Sequence, residues 1–503
     1  MQVDPTEASQ QPAQPENNQI VAFCLLVVCG GVLAKLYLDL HLAGSVASMA
    51  LVAFAVLGRP FFRFREFFLL SLAVALTLTA IATRPDVVPL VAGALDRAAF
   101  LAAFMILLAL LRDGAVTSPS VLAVGRYLTR QPPGRRYAAL QTGGHFLGVI
   151  LNFGCLSLLG PLIQRGVRAS NEETGGANPD RVKPDNKMPD NAMNARVAAI
   201  REQRQITALS RGFSWIVAWS PTTISQAFVP LVLVGVQPLR MAAMGAGITL
   251  IFFLAGWLED RVRGRRIRAE LSELGQLPVP NPLPFPKTGF LRFGLVCAVL
   301  AAFSTAVVIW SGSAIVPALM LTAPLVTVVW IWLQNRTLEG GWQATLKRGQ
   351  EIVTRSIPNS SPEALTLSVA GYSGIMAAGL TDAEALAAWI GLDAIPPLAI
   401  YLATTAIVPL ASNFAIPAML VVTFLGSLFS ALPQLNLDPT LLGFSLIIGW
   451  GLNLVGSPFS ATSLVLARVT GIPGTTLSWR WNGLYSLISF GISAIFLAVL
   501  TSL

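Results

Sequence analysis

The sequence predicts an all-α polytopic membrane protein, and three observations carry that prediction. Of 503 residues, 54% are hydrophobic and only 12% charged, against about 25% charged in an ordinary soluble domain. Mean hydropathy is +0.66. Apolar runs of 17–22 residues recur along almost the whole chain, each long enough as a helix to cross roughly 30 Å of hydrocarbon. A soluble protein of this length would divide into about three domains with charged surfaces. A soluble enzyme is therefore excluded, and so is a single-anchor protein. Porin-type barrels are excluded as well, since their strands read as weak alternating segments of about 10 residues.

The elements follow in order. Residues 1–19, rich in Gln, Pro and Asn, predict a disordered tail without the basic start of a signal peptide. Spans are expected at 20–38, 41–58, 66–82 and 90–111. Residues 112–136 are polar and amphipathic, with Arg112, Arg126, Arg130, Arg135 and Arg136 against Asp113 alone. Segment 138–163 is apolar but interrupted by Asn152-Phe153-Gly154, which predicts a re-entrant hairpin. Residues 164–210 read as a hydrophilic cytoplasmic loop, turn-rich at its centre. Segment 212–235 is a helix broken at Ser220-Pro221-Thr222-Thr223, and 239–257 is a span. The linker 258–288 is basic, carrying Arg261, Arg263, Arg265, Arg266 and Arg268.

The second half, 289–503, repeats the plan. Spans are expected near 289–310, 313–333 and 362–380, followed by a base-free stretch, 381–395. A hairpin at 396–430 is interrupted by Ser412-Asn413-Phe414, and a helix at 441–468 is broken at Gly456-Ser457-Pro458. A last span lies near 480–501. The expected total is about 11 transmembrane helices plus two re-entrant hairpins, in two inverted repeats within the halves 20–257 and 289–503.

With the N-terminus in the cytoplasm, loops 59–65, 112–136, 164–211, 259–287 and 335–358 all fall inside, where the positive-inside rule wants their arginines and lysines. The net charge of +9 then belongs to retained loops, and no nucleic-acid partner is expected. Lys35, near the end of its span, is expected to snorkel. Cys24, Cys29, Cys155 and Cys297 sit in apolar runs without a CxxC pair and read as small hydrophobes. With only His41 and His145 in the chain, no metal centre is expected.

Function is expected where the apolar runs fail. Asn-Phe interrupts one segment in each half, at Asn152 and Asn413. Ser-Pro-x-[Ser/Thr]-x-[Ser/Thr] does so at Ser220-Pro221-Thr222-Thr223-Ile224-Ser225 and at Ser457-Pro458-Phe459-Ser460-Ala461-Thr462. The order is the same in both halves and the assigned topology opposite, the mark of an inverted repeat. Proline removes a backbone donor and displaces the carbonyl one turn earlier. In hydrocarbon the freed groups must be met by protein, water or ligand. Half-helix N-termini suit an anion; freed carbonyls, with Asn152, Asn413 and nearby hydroxyls, suit a small cation such as Na⁺. The alternative for a single Ser-Pro is an ordinary structural kink, and for Asn a hydrogen bond between helices.

This order of span, amphipathic helix, Asn-bearing hairpin, broken helix and span, given twice, resembles the ion transporter superfamily. That group includes divalent anion/sodium symporters and arsenite-efflux permeases. The symporters carry Ser-Asn-Thr at each hairpin tip. Here the second tip is Ser412-Asn413-Phe414 and the first Leu151-Asn152-Phe153, so both Asn match, one Ser does, and neither Thr does. Residues 374–380, Gly-Ile-Met-Ala-Ala-Gly-Leu, are similar to a Gly-Leu stretch before the family's hairpin.

The resemblance implies a scaffold and a transport domain, an elevator-like displacement and a homodimer in the bilayer. It implies secondary transport of a small anion, an organic acid in the first instance, across a bacterial inner membrane. Coupling would be to Na⁺ near Asn152 and Asn413, or to H⁺, with no other cofactor. The expected site is Asn152, Ser220, Pro221, Thr222, Thr223, Ser225, Ser412, Asn413, Ser457, Pro458, Ser460 and Thr462. Efflux, cation/proton antiport and membership of a multi-protein complex stay open; an enzyme is not expected, because no Asp, Glu or His cluster marks a membrane surface.

Other charged or polar residues carry separate expectations. Asp96-Arg97 reads as an interfacial ion pair, and Glu363 after Ser360-Ser361-Pro362 as helix-start chemistry. His145 is expected to be packed, with a place in the first hairpin as the alternative, and Arg480 between Trp479 and Trp481 to anchor an aromatic belt. No acid is expected deep in a span.

Overall fold

The computed structural model describes residues 15–132, 134–175, 190–272, 283–337 and 339–502. Most of the expected tail, the centre of the 164–210 segment and part of the basic linker lie outside the described residues. Among the described residues every regular element is helical. The first four helices are α1 (Pro15–Leu38), α2 (His41–Leu57), α3 (Phe64–Thr83) and α4 (Val87–Val116). Next come α5 (Pro119–Thr129), α6 (Arg136–Leu151), α7 (Gly154–Gly175) and α8 (Asp190–Ser214). A 3₁₀ turn, Trp215–Ala218, leads to α9 (Ile224–Val232), then α10 (Pro238–Ser272), α11 (Lys287–Ser311) and α12 (Ile315–Asn335). Shorter pieces α13 (Gly341–Glu351) and α14 (Ile357–Asn359) precede α15 (Ser361–Leu380) and α16 (Ala383–Ile390). The chain closes with α17 (Pro397–Asn413), α18 (Ala418–Ser430), α19 (Pro439–Gly456), α20 (Ala461–Thr470) and α21 (Trp481–Ser502).

Eight helices among the described residues are long and apolar enough to cross a membrane, or nine if α15 and α16 count as one broken span. The protein is thus a polytopic α-helical membrane protein. The count is lower than the eleven expected, for two physical reasons. Helix α2 has 17 residues, and segment 212–235 is cut into a 3₁₀ turn and the nine-residue α9. A hydropathy pattern counts such segments whole.

Two stretches expected as loops are helical where described. Helix α7 runs to Gly175 and α8 begins at Asp190, so the 164–210 segment is helix at both ends. Its sequence NARVAAIREQRQIT is rich in good helix formers. Polarity had concealed this, because α8 buries polar side chains that find partners inside the protein. Likewise α10 continues to Ser272, through the first part of the basic linker.

The chain divides into two compact units that cut across its sequence halves: residues 1–113 with 304–380, and 114–303 with 381–503. In the first unit α1 packs on α2, and α3 on α15. Lys35 Nζ donates to Asp96 Oδ1 at 2.5 Å. This replaces both the snorkelling lysine and the Asp96-Arg97 pair, since adjacent helical residues do not face each other and an intramembrane charge seeks a partner on another helix. Buried Glu66 accepts from the Arg63 N–H at 2.8 Å and from Thr366 Oγ1 at 3.2 Å. Arg112 donates to Ser360 Oγ at 2.9 Å and lies 4.0 Å from Glu363, which opens α15. In the second unit α6 packs along α8, α7 against α8 and α20, and α17 along α19. All four interrupted segments belong to this unit.

Candidate functional site

Each interruption in the second unit has its own local chemistry. Helix α6 ends at Leu151, and Asn152 turns the chain at φ +48°. Asn is among the residues that tolerate positive φ. Its N–H still bonds Gly148 O at 2.8 Å, and its side-chain amide has no hydrogen-bond partner among the described residues. The turn therefore leaves an uncommitted amide at the tip of the first hairpin.

The first broken helix repairs itself with the expected hydroxyls. Pro221 interrupts the ladder, and the carbonyls before it are met from the far side of the break. Ser225 Oγ donates to Val217 O at 2.8 Å, Gln226 Nε2 to Ala218 O at 2.6 Å, and Thr223 Oγ1 to Ser220 O at 2.7 Å. Ser220 and Thr222 hydroxyls lie 2.8 Å apart, and Thr223 and Ser225 hydroxyls 3.2 Å. Ser220 and Ser225 are fully buried. His145 clamps this break to the hairpin: its Nδ1 lies 2.7 Å from Gly212 O, and its Nε2 accepts from Trp219 Nε1 at 2.9 Å. Those two contacts require the neutral tautomer with hydrogen on Nδ1, so His145 is packed and committed.

The second pair is stitched more directly. Ser412 Oγ donates to Ser457 Oγ at 3.3 Å, and Ser457 Oγ donates to Ser412 O at 3.0 Å, joining hairpin tip to broken helix. Asn413 Oδ1 accepts from Trp479 Nε1 at 2.9 Å, while its Nδ2 donates to Pro409 O at 2.8 Å. Pro458 ends α19. Ser460 caps α20 by accepting from Ser463 N–H at 3.2 Å and donates to Leu454 O at 3.2 Å. Ser463 Oγ bonds Ser457 O at 2.8 Å. Two buried polar atoms here have no partner among the described residues: Thr462 Oγ1 and Asn453 Oδ1. Asn453 lies inside an apolar run with no proline or glycine beside it, which hid it in the sequence.

The structure thus joins Ser412, Asn413 and Ser457 in one cluster and Ser220, Thr222, Thr223 and Ser225 in another. No hydrogen bond among the described residues links the two clusters. They are connected by packing. Gly451 of α19 lies against the Trp215 ring, where an added Cβ would come within 2.6 Å of it. Gln164 of α7 donates to Thr470 O of α20 at 2.7 Å.

A buried charged network near these breaks was not legible in sequence. Arg211, 2% exposed, lies 2.7 Å from Glu259 Oε2. It donates to Asn482 Oδ1 at 2.8 Å, Tyr137 OH at 3.1 Å and Trp481 O at 3.3 Å, and stacks 4.1 Å over the Tyr485 ring. Arg204 grips Asp260 with two hydrogen bonds of 2.8 and 2.7 Å. Glu259 and Asp260, each 8% exposed, are buried in the part of α10 that continues past the span expected at 239–257. Tyr137, Thr207, Arg211 and both acids line a small cavity. Among the described residues no group of three or more His, Cys, Asp or Glu could hold a metal ion.

This architecture defines a multi-pass α-helical membrane protein with interrupted helices gathered in one unit. No protein-family profile matches the chain, and no curated protein sequence does. Among solved structures it is similar to the Alcanivorax borkumensis YdaH transporter, whose crystal structure is described as having an unusual topology. The TM-score is 0.55 at 14% identity, over 88% of this chain and 98% of that one. At that identity the likeness establishes the fold alone: the chain shares the fold of a membrane transporter.

Proposed function

We propose that the protein is a secondary active transporter. It moves a small organic anion across the bacterial inner membrane, with its N-terminus in the cytoplasm, coupled to Na⁺ or H⁺ by an elevator-type displacement. One observation carries the reading. Two helices of one compact unit break at Ser-Pro, and the second break, sutured to a hairpin tip through Ser412 and Ser457, keeps buried Thr462 Oγ1 and Asn453 Oδ1 unpaired. Buried polar atoms without partners cost about 1–3 kcal/mol each. Such a cost is offset where a ligand, ion or water completes them. Helix α9 starts without a side-chain cap, which favours an anionic group at that end.

The matching order of interruptions in the two halves supports an inverted repeat, and the gathering of all four in one unit supports a division into scaffold and transport parts. The similarity to a transporter fold agrees with this. The pair of Asn-bearing tips is where Na⁺ would be held, and a homodimer is the expected assembly. The test is a thermal-shift screen of the purified protein against organic anions, with and without Na⁺. A ligand at a hundred times its Kd stabilises by about 2.7 kcal/mol, so a specific anion that raises the midpoint supports the reading. Stabilisation by organic cations alone would contradict it.

A further inference from the structure

Three arginines of the second unit converge where α5 ends and α6 begins. Arg130 follows the last residue of α5, and Arg136 is the first of α6. Arg201 comes from α8. The placement of α8 is fixed by Gln205 Nε2, which donates to the Thr129 carbonyl at 2.9 Å. Arg201, one helical turn before Gln205, therefore projects from the same face toward the α5–α6 junction. Gln131 braces that junction, donating to Tyr127 O at 3.0 Å and accepting Arg136 Nε on its carbonyl at 2.9 Å.

Among the described residues no carboxylate compensates this group. Arg130 and Arg201 make no side-chain hydrogen bond or ion pair among the described residues, and Arg201 Nε is buried without a partner. The nearby acids are committed elsewhere, Asp260 to Arg204 and Glu202 to Gln164 at 2.9 Å. Burial, with Arg201 and Arg204 alongside, pushes the Arg136 guanidinium down to about 10, and burial with Arg130 alongside lowers that of Arg201. Topology signals require arginines in a loop; they do not require Arg136 and Arg201 to be half-buried beside like charge. Helix α6 also starts without a side-chain cap.

The surroundings fix the depth. Tyr127, one turn before Arg130, packs edge-on against Phe285 and Phe290 at 5.3 and 6.1 Å, at the start of span α11. Tyrosine, with its apolar ring and polar tip, is enriched at the membrane–water interface where spans end, the level of lipid phosphates.

We propose that Arg130, Arg136 and Arg201 form a binding site for a phosphate group at the membrane interface, supplied by an acidic lipid headgroup or by free phosphate. Guanidinium forks match phosphate oxygens in bidentate geometry. The bound anion would supply the missing counter-charge. The site is independent of the proposed transport reading.

The test compares full-length protein with Arg136→Gln and Arg201→Gln in neutral detergent micelles, reading thermal midpoints. Phosphatidylglycerol, phosphatidylcholine and inorganic phosphate are titrated separately. Without anion, each variant is expected to melt at or above the wild type, because a like-charge contact has been removed. Phosphatidylglycerol is expected to raise the wild-type midpoint, with about fivefold weaker half-saturation for each arginine lost. A response to phosphatidylglycerol but not inorganic phosphate assigns the headgroup, and a response to both assigns the phosphate itself. Arg130→Gln, at an exposed position, serves if a buried variant fails to fold. A wild type insensitive to both phosphatidylglycerol and inorganic phosphate, or variants that respond like the wild type, would overturn the site.

Discussion

Arg211→Met tests the buried network most sharply. The substitution keeps an unbranched apolar stem, shorter by the guanidinium end, and deletes the charge. It removes the 2.7 Å contact to Glu259 and leaves that carboxylate, 8% exposed, with Arg263 alone at 3.0 Å. Arg263 is 41% exposed, so its compensation is weakened by its surroundings. Asn482 Oδ1 also loses the guanidinium it accepts from at 2.8 Å. Breaking one side of a buried ion pair costs about 3–5 kcal/mol, whereas replacing both sides by apolar groups is often near neutral. Arg211→Met should therefore destabilise by about 3–5 kcal/mol, and adding Glu259→Met should recover about 2 kcal/mol or more. The assay is a double-mutant cycle in mixed detergent–SDS micelles, with unfolding free energies from the midpoints. A single variant as stable as wild type, or a double variant no better than the single, would refute the pairing.

Three further outcomes are expected. Gly245→Ala places a Cβ 1.8 Å from the Ala218 carbonyl oxygen and Gly212→Ala places one 2.0 Å from that of Gln141. Neither backbone can yield without moving a helix, so both should lose monodisperse folded protein in size-exclusion profiles, while Gly247→Ala, with open space around it, should not. His145→Ala strands the Gly212 carbonyl and the Trp219 N–H, at about 1–3 kcal/mol each; a loss below about 0.5 kcal/mol on SDS titration would contradict the clamp. Trp479→Phe removes the N–H that holds Asn413 Oδ1, together with part of a ring that is 54% exposed. It should weaken half-saturation of transport roughly fivefold, the equivalent of about 1 kcal/mol, with stability unchanged.

Much of the fold was legible because the bilayer makes hydrophobic length a direct signal. Proline and asparagine inside an apolar run are conspicuous for the same reason, and helices do end at Leu151, Asn413 and Gly456, beside the interruptions expected there. Polar helices hide the remainder. Arg211 reads as the end of a hydrophilic loop, yet it is buried because α6, α10 and α21 each supply it a partner. Those partners lie far away in sequence. Pairing of Lys35 with Asp96 across 61 positions was hidden likewise, with Arg97 the nearer choice by sequence alone. In the sequence the hydroxyls of the first break read as binding groups; in the structure Thr223 and Ser225 spend their protons on carbonyls released by that break. A free hydroxyl and a mending one look the same in a sequence.

Transport by the interrupted helices of the second unit, as proposed, depends on Asn413 and Ser457, and Asn413→Ala and Ser457→Ala probe that dependence. Each variant would be reconstituted in proteoliposomes beside wild type, at matched insertion, with an organic anion found to stabilise the protein. Both variants are expected to insert normally and to lose transport by at least about tenfold, equivalent to roughly 1.4 kcal/mol or more. Unimpaired transport by both would contradict it.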